Sequence, residues 1–333
     1  MKLRFGIIGC GAISEDMHIP TLLACPDVEL VAAFDADRKQ AELVAGRYGI
    51  GEAAADLDDV RGKLDAVVIC TPPNVRPALI RQAFSLGLDV FAEKPLANSA
   101  VECADILALC SGSTQILAVS HMYRFYPVRW RLHEIVESHK LGRIISVDIS
   151  EGAPYAWNPR SGYTFKRGEV SGGVVINAGV HTLDSLIQWF GDPSIDSYED
   201  DSLGGLESNA RARITFPFGV VSDFRISRTC RLPNLFRVEC ERGTITFTNR
   251  DTVNYSVEQN GETSAHHCDN SVQTAADCWR LQMADFIECI RERRRPRVDA
   301  EEASRVVSLV ENMYRLKGGR SLPAVAPLPG STW

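Results

Sequence analysis

No C-x-x-C pair occurs among the ten cysteines of this 333-residue chain. That absence removes the spacing of structural zinc sites and of small disulfide frameworks. No apolar run approaches the roughly 20 residues of a membrane-spanning helix. Internal repeats and low-complexity tracts are missing too. Basic excess is lacking: the net charge is −7, which argues against a nucleic-acid partner. The one basic run, Arg291-Glu292-Arg293-Arg294-Arg295-Pro296-Arg297, reads as a solvated helix end, with cations near the C-terminal dipole. No leader is expected before the first strand, which starts at Leu3. Cys70, Cys103, Cys110 and Cys289 lie in apolar runs and read as small buried hydrophobes. So many unclustered thiols suit a reducing cytoplasm. His266-His267-Cys268 reads as a polar loop, and no metal is expected because no second ligand cluster exists.

What is present is a change of pattern near His121. Before it, short apolar strands alternate with amphipathic helices. The strands are Leu3 to Ile8, Val28 to Phe34, Ala66 to Cys70, Asp89 to Ala92 and Gln115 to Val119. The helices are Ile13 to Cys25, Arg38 to Tyr48, Arg76 to Leu86 and Ser99 to Cys110. That alternation predicts an α/β doubly wound parallel sheet covered on both faces. After it, a helix at Pro127 to His139 leads into strands at Ile144 to Ser150, Ala210 to Phe216, Val220 to Ser227, Phe236 to Cys240, Thr244 to Thr248 and Val253 to Gln259. Many of these alternate with period two, which predicts a one-sided, antiparallel sheet. Helices at Ala275 to Arg293 and Ala300 to Leu316 follow, and the Pro-rich tail after Leu322 reads as extended. At roughly 150 residues per domain, two domains are expected, 1–121 and 122–333.

Gly9-Cys10-Gly11-Ala12-Ile13-Ser14 sits between the first strand and the first helix. It approximates G-x-G-x-x-G with Ser in the third place. Gly9 permits the tight turn and Gly11 lets backbone approach a pyrophosphate at the helix N-terminus. Asp35 ends the second strand, 21 residues after Ser14. An acid there accepts from a ribose 2′-hydroxyl and repels a 2′-phosphate, which favours NAD over NADP. Arg38 is close enough in sequence to receive that phosphate instead. Thr71-Pro72-Pro73-Asn74 is a rigid turn that either lines a nicotinamide ring or is a plain connection.

Glu93-Lys94-Pro95 follows the apolar run Leu88 to Ala92. Charge at the end of a buried strand is costly unless paired or used. The proline removes a ladder donor and stops the strand. Lys94 thus stands at the carboxyl edge of the sheet, where open α/β folds bind ligands. A second dense cluster runs from Gly172-Gly173 through Asn177, Gly179 and His181 to Asp184. In a helix, Asn177, His181 and Asp184 share one face. The glycines, which helices avoid, let something approach the backbone. Just upstream, Tyr155, Trp157, Arg160, Tyr163 and Lys166 either grip a polyol or form an ordinary surface loop.

With the glycine turn, Thr71-Pro72-Pro73, Glu93-Lys94-Pro95, the His121-to-Pro127 segment with Arg124, and the Gly172-to-Asp184 block, the chain resembles the Gfo/Idh/MocA family over nearly its whole length. These are NAD(P)-dependent sugar and cyclitol oxidoreductases. The resemblance implies a Rossmann domain followed by an α+β domain with a large open sheet that often serves oligomerisation. A homodimer or homotetramer and a cytoplasmic setting are expected. It further implies a cis Lys94–Pro95 bond, Lys94 hydrogen-bonded to the reacting hydroxyl and His181 exchanging its proton. Glu93 joins the cofactor contacts, with Gly9, Gly11, Ala12, Ile13, Asp35, Arg38, Thr71, Pro72, Asn74 and Lys94. Substrate contacts fall to Lys94, Arg124, Tyr155, Trp157, Arg160, Tyr163, Asn177, His181 and Asp184. Two positions depart from the family pattern. Asn177 stands where an Asp is frequent, so Asp184 either supplies the missing charge or anchors the helix. Arg76 stands where a His is frequent. A glycosidase of related architecture and a non-enzymatic nucleotide sensor are the alternatives.

Overall fold

The computed structural model describes residues 1–157, 160–268 and 272–316. The tail after Leu322 lies outside them. Contacts divide the chain into two compact units. One comprises Met1–Met122, Asn158–Val170 and Ala276–Val307; the other comprises Tyr123–Trp157, Ser171–Ala275 and the chain from Ser308.

The first unit is built on six parallel strands: β1 (Leu3–Ile8), β2 (Val28–Phe34), β3 (Glu52–Ala54), β4 (Ala66–Ile69), β5 (Asp89–Ala92) and β6 (Leu117–Val119). Their order is β3-β2-β1-β4-β5-β6. The order reverses between β1 and β4, the switch point at which doubly wound sheets bind ligands. Helices α1 (Ile19–Leu23), α2 (Arg38–Tyr48), α3 (Arg76–Ser85) and α4 (Ala100–Ser111) connect these strands. Asp37 caps α2 by accepting from the Lys39 amide, and Gly49 ends it in the left-handed conformation at φ 69°, as helix ends favour. Fully buried Phe5, Ile7 and Val68 form the core together with Phe286.

The second unit carries α5 (Pro127–Glu137), β7 (Ile144–Gly152), α6 (Val180–Phe190), β8 (Ser194–Asp200), β9 (Asn209–Thr215), β10 (Val221–Ser227), β11 (Leu235–Cys240), β12 (Gly243–Thr248), β13 (Asn254–Gln259) and β14 (Glu262–His267). The sheet order is β14-β13-β12-β11-β7-β10-β9-β8. It is antiparallel except where β10 runs parallel to β7. One sheet face buries Val147, Ile149, Ile214, Phe224, Phe236 and Val238. The closing helices are α7 (Ala275–Glu292) and α8 (Ala300–Leu316).

Three strands escape the sequence pattern: β3, β8 and β14. Residues 262–267 are strand, not the polar loop expected of His266-His267. All six are exposed, because β14 is an edge with neither face covered. His266 stacks on Tyr255 at 4.9 Å and its Nε2 meets Ser264 at 2.8 Å, while His267 Nδ1 meets Asn254 at 2.9 Å. No group of three or more metal-ligating side chains occurs among the described residues. The basic run is a set of clamps rather than a merely solvated end. Arg291 pairs with Asp27, Arg293 with Asp89, and Arg294 with Asp285 and Glu288.

Candidate functional site

The glycine turn follows β1 at the switch point. Gly9 has φ +90°, and a Cβ there would stand 3.1 Å from the Cys70 and Thr71 backbone. Only glycine meets both conditions. A Cβ at Gly11 would meet nothing within 4 Å, so the backbone there is open to a ligand. Ser14 explains its own presence in place of a third glycine: its hydroxyl donates back to the Gly9 carbonyl. Asp35 also holds the turn. Its Oδ2 accepts from the Cys10 amide at 2.8 Å and its Oδ1 from the Asp37 amide at 2.9 Å. Gln40 donates to the Cys10 carbonyl at 2.8 Å. Arg38 is exposed and pairs with Glu42 at 3.0 Å. Ala12 and Ile13 are half-buried at the start of the following helix, and Pro72 is half-buried with Asn74 exposed beside it. This turn, open at Gly11 and with an acidic neighbour, fits a dinucleotide.

That helix is not regular. Ser14–His18 form a π stretch before α1, a feature frequent at functional sites. It carries two buried ionisable groups that the sequence reading missed. Glu15 is 5% exposed and pairs with both Arg47 and Arg160. His18 is 1% exposed. Its Nε2 meets Glu93 Oε1 at 2.9 Å, and its ring packs edge-on against Trp279 at 4.9 Å. Burial alone would push the His18 imidazole down. The Cys70 sulfur and the Glu93 carboxylate outweigh it and raise it to about 10. The signal available in sequence was slight: a histidine four residues after Ser14, next to Ile19 and Leu22.

Glu93 is the hub of the strand end. Burial opposes its charge, but His18, Lys94 and Arg76 hold it below the usual carboxylate range. Its Oε2 accepts from the Lys94 amide at 3.1 Å. Lys94 is half-buried and lies before a cis bond to Pro95. Burial, opposed by Glu93 and aided by Arg76, pushes its amine below the ordinary lysine range.

The second constellation lies in the other unit. Val175–Gly179 form a second π stretch that leads into α6. Asn177 and His181 are both half-buried and stand on either side of that transition, so their spacing is not that of a plain α-helix. The His181 ring lies 4.8 Å from Tyr123, which also packs against Tyr126 at 4.8 Å and carries the Arg129 guanidinium 4.3 Å from its centroid. Asp184, 1% exposed, and Arg124, 4% exposed, form a bidentate pair at 2.8 and 2.7 Å. This pair ties the Met122–Phe125 turn to α6.

Gly172 and Gly173 admit protein rather than ligand. A Cβ on Gly172 would stand 2.1 Å from the Tyr314 hydroxyl, and one on Gly173 would stand 1.9 Å from the Glu207 carbonyl. The Glu207 carboxylate then accepts from the Gly173 amide at 2.7 Å, the Val175 amide at 3.0 Å and the Tyr314 hydroxyl at 2.7 Å. Backbone cannot yield as a side-chain tip can. Gly173→Ala should therefore destabilise the fold by about 2–3 kcal/mol, read as a lower urea midpoint. A wild-type midpoint would show that the Glu207 backbone yields.

The expected sugar grip divides. Tyr155 bonds through its amide to the Arg228 carbonyl at 2.8 Å, and Trp157 is 40% exposed; both belong to the second unit. Residues 160–170 group with the first. There Arg160 pairs with Glu15, Tyr163 opens a short 3₁₀ turn, and the Glu169 carbonyl accepts from Asn98 at 3.1 Å. Lys166 pairs with Glu169 at 3.3 Å.

Residues 3–121 match the model of an oxidoreductase family with an NAD-binding Rossmann fold, and residues 133–320 match that family's C-terminal alpha/beta domain. The chain is similar to inositol 2-dehydrogenase of Rhizobium meliloti, 32% identical over 184 residues, which is 55% of this chain and 54% of that one. It is similar along most of its length to D-xylose 1-dehydrogenase (NADP(+)) 2 of Haloferax volcanii, 25% identical over 94% of this chain and 96% of that one. An oxidoreductase from Thermotoga maritima shares the fold at a TM-score of 0.83 and 21% identity, covering 96% and 97% of the two chains. The glycine turn at the switch point and the match to both domain models give one conclusion: this chain belongs to the Gfo/Idh/MocA family of NAD(P)-binding oxidoreductases.

Proposed function

We propose that the protein is a dehydrogenase or reductase that prefers NAD and acts on a secondary alcohol or ketone of a sugar, sugar derivative or cyclitol. The observation that carries this reading is the lysine at the end of β5. Its amine is pushed down by burial and it stands at the carboxyl edge of a sheet whose switch point bears the glycine turn. The relatives' names, an inositol and a xylose dehydrogenase, support the substrate class. Residues 1–121 serve the nucleotide, and 122–333 serve substrate and self-assembly.

A dinucleotide held at the glycine turn would supply a nicotinamide as hydride acceptor or donor. The glycine turn would hold the pyrophosphate, and Asp35 would accept from the ribose. Lys94 donates to the substrate hydroxyl and stabilises the charge that develops on its oxygen. His181 takes the proton in oxidation and returns it in reduction. Asn177 carries no charge to stabilise the imidazolium, so it orients His181 or binds substrate. Tyr155, Trp157, Arg160 and Tyr163 contact the polyol; the Arg124–Asp184 pair holds α6. A homodimer or homotetramer through the open sheet face is in keeping with the exposed Arg211, Arg213 and Glu239. No helix among the described residues is long and apolar enough to cross a membrane. Ten unbridged cysteines favour the cytoplasm.

Incubation with a polyol and cyclitol panel should yield NADH, with kcat/KM at least about tenfold higher for NAD than for NADP. Binding of NAD without turnover of any member would instead indicate a sensor. Turnover of glycosides without net NADH would indicate transient oxidation.

A further inference from the structure

Arg76 is the bulkiest fully buried side chain among the described residues, at 1% exposure. It opens α3 directly after the Thr71-Pro72-Pro73 turn. Its guanidinium reaches two separate turns: Nη1 donates to the Pro95 carbonyl and Nη2 to the Thr71 carbonyl. Those turns leave neighbouring strands, since Ile69 pairs with Ala92 in the last rung between β4 and β5. Beyond that rung the Glu93 amide still donates to the Ile69 carbonyl at 2.9 Å, and past it Arg76 bridges the two turns. A planar fork with fixed donors does so where a flexible ammonium would not.

Burying a guanidinium is expensive unless an anion compensates it. No Arg76–carboxylate ion pair occurs among the described residues. The nearby Glu93 carboxylate hydrogen-bonds His18. Arg76 is thus held chiefly by two carbonyls, one in the turn that carries Lys94.

We propose that Arg76 is the positioning residue of Lys94: it locks the Lys94-Pro95 turn against the Thr71 turn and keeps a permanent positive charge beside the lysine amine. This rests on the role given to Lys94 above. Among the charged groups that act on Lys94, Glu93 favours its ammonium and Arg76 disfavours it alongside burial; His18 lies behind Glu93. The result is an amine that exchanges protons nearer to neutral pH.

Wild type, Arg76→Gln and Arg76→Lys separate charge from geometry. One readout needs no substrate: the pH dependence of Lys94 acetylation by acetic anhydride, followed by peptide mass. The other is kcat and KM for hydride transfer. Arg76→Gln should move the Lys94 titration upward by about one pH unit and lower kcat. Arg76→Lys should leave the titration in place, because the charge remains, yet lower kcat about tenfold through the lost fork, with KM for NAD within about threefold. An unmoved titration in Arg76→Gln together with an unchanged kcat in Arg76→Lys would overturn the proposal, even if both variants melt earlier. Should Arg76→Gln fail to fold, an unchanged kcat in Arg76→Lys suffices to overturn it. If the wild type transfers no hydride but the titration still moves, the dehydrogenase reading fails and the coupling of Arg76 to Lys94 stands.

Discussion

Lys94→Ala should lower kcat for hydride transfer by about 10²–10³-fold, the loss typical of removing one donor to a developing oxyanion. Cofactor affinity should fall far less than kcat, because the glycine turn and Asp35 form without this side chain. The expectation for stability is the opposite of that for activity. Burial and Arg76 both work against the ammonium, and Glu93 favours it. Removing the amine relieves that opposition, so the melting temperature should hold or rise. Single-turnover hydride transfer and thermal melting on the same sample test both halves. Full activity in the variant would remove Lys94 from the chemistry. Parallel losses of activity and stability would make it a structural residue.

The second large effect is on stability. His18→Ala leaves Glu93, 5% exposed, without its imidazole partner. Breaking a buried pair from one side costs about 3–5 kcal/mol. The wild-type pair also predicts a pH dependence. The folded His18 is raised to about 10 from an ordinary value of 6.5. A raised group contributes stability that is full below the unfolded value and is lost as pH rises through the folded one. Wild-type stability should therefore decline from about pH 6.5 toward pH 10, and His18→Ala should be flatter across that window. Urea midpoints at closely spaced pH values measure this. An equal slope in both proteins would assign the decline to other groups.

Most of this architecture was legible because its pattern is physical. Of the parallel strands, β4 is a continuous apolar run and β1, β2 and β5 are apolar but for one charge each, Arg4, Glu29 and Asp89, the composition of strands covered on both faces. The strands that were not legible, β3, β8 and β14, are all edges of their sheets. An edge such as β14, exposed at every position, carries no alternation to read. The places of Gly9, Asp35 and Lys94 at the ends of β1, β2 and β5 were legible from spacing. His18 and Glu15 were not, since a buried charge is recognisable only once its partner is known. Glu93 lies 75 residues from His18, and no local period links them. Gly172 and Gly173 were read correctly as points of close approach. The approaching groups, Tyr314 and Glu207, come from remote segments and could not be named.

The carboxylate of Asp35 bears on redesign of coenzyme choice. The usual exchange toward a 2′-phosphate replaces such an acid with a small neutral residue. Here the same two oxygens accept from the Cys10 and Asp37 amides, so they shape the turn before any coenzyme arrives. An engineer who deletes the charge also strips the Cys10 amide of its acceptor, beside a glycine held at φ +90°. A workable swap therefore needs two changes in concert: a cation for the added phosphate, and a new acceptor for the orphaned amide.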